Sequence, residues 1–165
     1  FTVTHTAQTH QTSGGEAMSK SSTLATGKKY LEIHLTTHHS GGNPFIGFGL
    51  TGVTQYWNTT DTCTWYMWSG HNKFYPAEEL TGLTLYDFSS NNKLMLAWDT
   101  SNRKVWMGGN GTWHGDPAAG TGEAAQFSTG DICLAFGCSA AASYSGDIKL
   151  GANQSYSPPT GFTSQ

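Results

Sequence analysis

Lys93–Pro117 reads KLMLAWDTSNRKVWMGGNGTWHGDP, and its pattern is strand, tight turn, strand and Gly-rich exit loop. Leu94, Leu96 and Trp98 fall on one face of an extended segment, as a period of two requires. Asp99–Arg103 (DTSNR) supplies the short polar side chains that favour a turn. Lys104–Met107 then resumes, with Val105 and Met107 on one face and Trp106 on the other. Gly108-Gly109-Asn110-Gly111 closes that strand with residues able to take positive φ. The segment is expected to form a β-hairpin whose exit loop carries aromatic residues.

Upstream, Gly27 opens an expected strand over Lys29–Thr36. Leu31, Ile33 and Leu35 point one way and Tyr30, Glu32 and His34 the other, the pattern of a half-buried strand. Phe45–Val53 is the next, with Ile46, Phe48 and Leu50 on one face. Gly47 and Gly49 leave its opposite face bare, so another backbone or a ring can approach closely. A Tyr/Trp-dense region follows at Tyr56-Trp57 and Trp65-Tyr66-Met67-Trp68, broken at Gly70–Lys73, and Leu80–Phe88 alternates again. Residues 1–26 are rich in Thr, Ser, Gln and His. There Phe1–Thr4 reads as an edge strand, and the rest as an irregular covering segment or an arm reaching a neighbour.

Downstream, Ala118–Gly130 is a small-residue loop, and Ile132, Leu134 and Phe136 make a core strand. Ala140–Gly146 is expected to turn, and Ile148 with Leu150 marks a final strand. Two prolines keep Tyr156–Phe162 extended. No stretch has a sustained helical period, and no repeat or linker divides the chain. Short strands separated by turn signals at roughly 8–12-residue spacing predict an all-β, antiparallel two-sheet β-sandwich over residues 27–165.

The totals agree with one such domain. A chain of 165 residues buries roughly 70% of its unfolded surface and needs no covalent staples. Only 12% of its residues are charged, half the ~25% typical of soluble domains, while Gly, Thr and Ser are frequent. That profile suits a turn-rich β protein and is common outside cells. The net charge is −3 and no basic run exceeds Lys28-Lys29, which excludes a nucleic-acid footprint. No apolar run approaches the ~18 residues of a membrane span. The chain starts at Phe1 rather than Met, as expected of a processed product or part of a longer polypeptide.

Cys133 and Cys138 lie five apart, so one continuous strand separates them by ~16 Å at ~3.3 Å per residue, beyond the ~7 Å reach of a disulfide. A bridge from Cys63 to one of them stays open, and three buried thiols is the simplest expectation.

The residues also carry a resemblance. Gly27–Ile33 resembles the G-K-x-Y-x-E-V strand of the SPRY domain family, and Phe45–Leu50 its V-G-x-G strand. Leu94–Trp113 is similar to the family's A-x-D-x-x-x-x-K-x-W-x-x-x-N-G pattern, with Asp99, Lys104, Trp106 and Asn110-Gly111 at the matching positions. Thr112–Thr121 and Tyr156–Phe162 look like the N-G-T-W-x-x-G-D-P-A-x-G-T and Y-x-P-P-x-G-F segments of SPRY-like domains in tailed-phage virion proteins. The likeness covers roughly residues 27–162. Arg103 stands where a turn glycine is common, and Asn91-Asn92 replaces a Gly-Asp. The resemblance implies a SPRY or concanavalin-like jelly roll used as a binding module.

Candidate site residues come from the loop aromatics and their polar neighbours: Trp57, Trp65, Trp68, Asn110, Trp113, His114 and Asp116. Flat rings stack on sugar faces while Asn, Asp and Thr bond hydroxyls. Aromatics also favour strands and cores, and Trp98 and Trp106 fit that structural role. The seven histidines show no zinc spacing, so no metal and no cofactor are expected. A carboxylate pair for glycan cleavage, drawn from Glu32, Glu78, Glu79, Asp87, Asp99 and Asp116, is the enzymatic alternative. No nucleophile elbow, phosphate loop or H-E-x-x-H supports catalysis, and Asp99 is better explained by bonds within its turn.

The leading expectation is a non-catalytic domain of a phage particle: tail fibre, receptor-binding protein or capsid decoration, at the virion surface. Its partners would be host-surface glycan or neighbouring virion subunits, with a trimer implied by analogy to fibre proteins. A secreted carbohydrate- or protein-binding module of a cellular protein is the second reading.

Overall fold

The computed structural model describes residues 2–5, 18–36, 44–52, 61–68, 71–75, 92–138 and 144–165. Its strands follow as β1 (Thr2–His5), β2 (Met18–Thr23), β3 (Lys28–Leu35), β4 (Pro44–Leu50), β5 (Thr62–Trp68), β6 (His71–Tyr75) and β7 (Lys93–Asp99). After the hairpin turn come β8 (Lys104–Gly109), β9 (Thr112–Trp113), β10 (Ala125–Gln126), β11 (Ile132–Cys138), β12 (Tyr144–Lys149) and β13 (Thr163–Ser164). One sheet runs β1-β12-β3-β7-β8-β10, with β13 beside β3 and β9 beside β8; the other runs β2-β11-β4-β5-β6. Neighbours are antiparallel except β13, which joins β3 in parallel.

The hairpin forms in the register its hydropathy demands, with Leu96 opposite Met107 and Trp98 opposite Val105. Those four side chains share the core with Leu31, Ile33 and Leu35 of β3. Ile46, Phe48, Cys63, Leu134 and Phe136 meet them from the second sheet. Phe48 and Trp98 cross edge to face, ring centres 6.2 Å apart, tying the layers together. Gly47 permits the close approach of β5: a Cβ there would lie 2.2 Å from the Cys63 carbonyl oxygen. Cys63 and Cys133 are buried thiols outside any disulfide, and burial pushes the Cys63 thiol up to about 12.

Several expectations are corrected. β3 is not half-buried, because Tyr30 and Glu32 on its second face are fully enclosed. Tyr30, Met95, Ala97, Trp106 and Phe162 form a separate apolar cluster on the outer side of the first sheet. Alternation revealed the inner face only, since the outer cover comes from a distant part of the chain. Met18–Thr23, expected to be irregular, is a strand of the second sheet, paired with Cys133–Gly137 across a register shift. The turn expected over Ala140–Gly146 yields to β12 from Tyr144 onward. Tyr156–Phe162 is not extended throughout, since the Phe162 N–H closes a turn onto the Pro159 carbonyl at 2.9 Å. The Ala118–Gly130 loop contains β10, and β4 stops at Leu50 rather than Val53. Leu80–Phe88 lies outside the described residues.

Candidate functional site

Around the hairpin turn, Asp99 accepts from the backbone N–H groups of Ser101 (3.0 Å) and Asn102 (3.3 Å) and from Asn102 Nδ2 (2.8 Å). Burial acts to raise its pKa, but these bonds, with Lys28 4.0 Å away, outweigh it and hold the carboxyl below its ordinary value. Asp99 is thus the organiser of its own turn. Arg103 ends that turn at φ +56°, a left-handed geometry that glycine adopts without strain.

The expected site residues divide. Asn110 (φ +48°) closes the next turn: its Oδ1 accepts from Lys93 N at 2.9 Å and its Nδ2 donates to Asn92 Oδ1 at 2.9 Å. Trp113 is a strand residue in β9, half-buried and edge-on to Tyr30 at 5.8 Å. His114 donates its backbone N–H to Met107 O at 2.9 Å, and partial burial lowers its imidazole pKa. Asp116 bridges to Thr121, and its Oδ1 accepts from Ala119 N at 3.0 Å. Residues 110–121 therefore form a tightly bonded flap beside the outer cluster, pinned by Trp106 Nε1 and Lys104 Nζ on the carbonyls of Thr121 and Gly120. Its interior leaves no room: a Cβ on Gly115 would sit 1.9 Å from Gly122 O. Trp65 and Trp68 are residues of β5, apart from that flap in the other sheet. Trp57 lies outside the described residues, as do Glu78, Glu79 and Asp87.

Glu32, which the sequence offered only as a candidate catalytic carboxylate, is a buried polar centre. It is fully buried, and accepts from Tyr30 Oη at 2.7 Å, Ser155 N at 2.9 Å, Tyr156 N at 2.7 Å and His34 Nε2. Burial pushes its pKa up, yet the hydrogen bonds from His34, Ser155, Tyr30 and Tyr156 win and keep the carboxyl below its ordinary value. Burial and the Glu32 carboxylate both raise the Tyr30 phenol. Gln154 adds bonds to Tyr30 O and Lys149 O, so residues 154–165 are clasped across β3. This carboxylate is consumed by structure.

Among the described residues, open depressions include two beside β3. One, of about 460 Å³, lies by His34, Lys93, Asp147 and Lys149, where Lys149 pairs with Asp147 at 3.1 Å. The other, about 330 Å³, sits where three turns converge at the start of β3, the β7–β8 turn and the approach to β11. Thr23, Thr26, Thr100 and Ser101 line it with hydroxyls, Leu24 with apolar surface, and Arg103 and Asp131 with opposite charges. Its walls are tied down: Gly27 N donates to Thr100 Oγ1 (2.8 Å), Leu24 N to Ile132 O (2.8 Å) and Trp98 Nε1 to Ala25 O (2.9 Å). Among the described residues no three His, Cys, Asp or Glu side chains gather as a metal site. The groove's residues come from separate turns, so only the hydroxyls of DTSNR gave any local sign of it.

No family profile matches the sequence, and no curated protein does. Among solved structures, the SPRY domain of human HERC1 superposes with a TM-score of 0.54 over 82% of this chain and 83% of that one, at 18% identity. The two-sheet antiparallel sandwich is thus SPRY-like in fold.

Proposed function

We propose that this chain is a non-catalytic recognition domain of a phage particle, carried on a tail fibre, receptor-binding protein or capsid decoration. It contacts host-surface glycan or neighbouring virion subunits through the turns at the ends of the sandwich. The observation that carries the reading is the occupancy of the first sheet on both sides, by the core on one and by the chain's own residues 154–165 on the other. Of the candidate glycosidase carboxylates that are described, Glu32 is committed to the clasp, Asp99 to its turn, and Asp116 accepts from Ala119 N within its own turn. The turn surfaces at the ends of the sandwich are the means of recognition in this reading. The phage assignment is supported by the Asn110–Thr121 and Tyr156–Phe162 motifs.

Two measurements test it. Mass spectrometry of purified particles from the source should detect the chain, and an array of bacterial surface glycans should retain it without releasing cleaved product. Absence from particles favours the second reading, a cellular protein-binding module, to which the likeness to a human SPRY domain lends support. Product release on the array would overturn the non-catalytic assignment.

A further inference from the structure

We infer that the groove where the three turns converge is a saccharide site, taking a short hydroxyl-rich glycan by side-chain contacts; this rests on the recognition reading above and gives it a location. The volume, about 330 Å³, falls at the lower end of the ~300–1,000 Å³ range of small-ligand sites. Its chemistry matches the two kinds of surface on a sugar. Leu24, only partly buried, offers apolar area for a ring's C–H face, and the Thr and Ser hydroxyls both donate and accept at its edge. Arg103 and Asp131 add a donor and an acceptor of full charge, the combination that grips adjacent hydroxyls. Ser128 O engages Arg103 Nη1 at 3.3 Å, leaving most of the guanidinium's N–H groups for a ligand.

The rim argues against an extended peptide. Strand addition needs unpaired backbone along an edge, and here the backbone is spoken for. Thr100 N donates to Gly27 O, Thr51 N to Asp131 O, and Phe127 N to Arg103 O. The groove therefore reads its ligand through side chains held by fixed walls, which limits the ordering cost of binding. Arg103 also holds a left-handed backbone that a glycine would adopt without strain, an arrangement that keeps the guanidinium at this place.

The test is a titration of lactose, maltose and chitobiose into the isotope-labelled full chain, followed by amide chemical shifts. At least one sugar should move Gly27, Thr100, Ser101 and Gly130 together. Arg103→Gly, which suits the turn's geometry and should stay folded, should weaken that binding roughly tenfold, the worth of a charged hydrogen bond. Asp131→Asn should weaken it in the same direction. Sugar shifts confined to other loops, or an Arg103→Gly variant that binds as tightly as the parent, overturn the groove while glycan recognition stands. No shift with any of the three, together with a silent glycan array, overturns both. Displacement of the groove amides by a virion peptide and by none of the sugars also overturns the saccharide assignment.

Discussion

Both faces of β3 are buried, by opposite means, with His34 alone partly exposed among Tyr30–Leu35. Leu31, Ile33 and Leu35 enter a wholly apolar interior shared with the second sheet. Tyr30 and Glu32, one residue out of phase, lie under residues 154–165, held by directed bonds onto a buried carboxylate. The inner face is non-directional and tolerant of repacking, whereas the outer face depends on the charge state of one group.

That contrast can be broken from either side. The largest effect is expected on the inner face: Trp98→Ala removes a fully buried ring and its bond to Ala25 O, and should cost about 3–5 kcal/mol in urea unfolding. Glu32→Gln should cost about 2–4 kcal/mol, because its one amide nitrogen must face either the Tyr30 and Tyr156 donors on Oε1 or the Ser155 donor on Oε2. A Glu32→Gln chain as stable as the parent would mean that the clasp contributes nothing.

Acid sharpens the difference. The Glu32 carboxyl has a pKa below its ordinary 4.5 in the folded chain, so its stabilisation is complete above that value. It is lost as pH falls through the folded pKa. Near-UV circular dichroism from the ring pairs Trp106–Phe162 and Tyr30–Trp113 should therefore fade below about pH 4.5. The far-UV sheet signal should persist longer, and simultaneous loss of both would refute independent faces. The smallest effect belongs to Arg103→Gly, where relief of the left-handed strain and the added chain entropy nearly cancel, leaving the free energy of urea unfolding unchanged to within about 1 kcal/mol.

Legibility in the sequence followed the range of the forces involved. The β7–β8 hairpin, the Asp99 turn and the bare Gly47 face were readable because their partners lie within a few residues or act through simple alternation. The role of Glu32 was hidden, since the amides that satisfy it are 123 and 124 residues away. Met18–Thr23 escaped because MSKSST has neither β-branched density nor a clear apolar face, and its pairing with β11 supplies what its own pattern lacks. Trp113 looked like a loop aromatic from composition alone, yet Tyr30 recruits it into a packed cluster. The turn groove was invisible for a different reason: only folding brings Thr26, Thr100 and Asp131 to one rim.

The parallel pairing of β13 with β3 has a bearing on how the protein is made. During translation β3 leaves the ribosome long before residues 154–164, and until those arrive Tyr30 and Trp106 lack the part of their cover that Tyr156 and Phe162 supply. A nascent chain stalled short of Gln154 would be sticky on that side, so a chaperone that binds aromatic surface should be released only as synthesis passes Ser164.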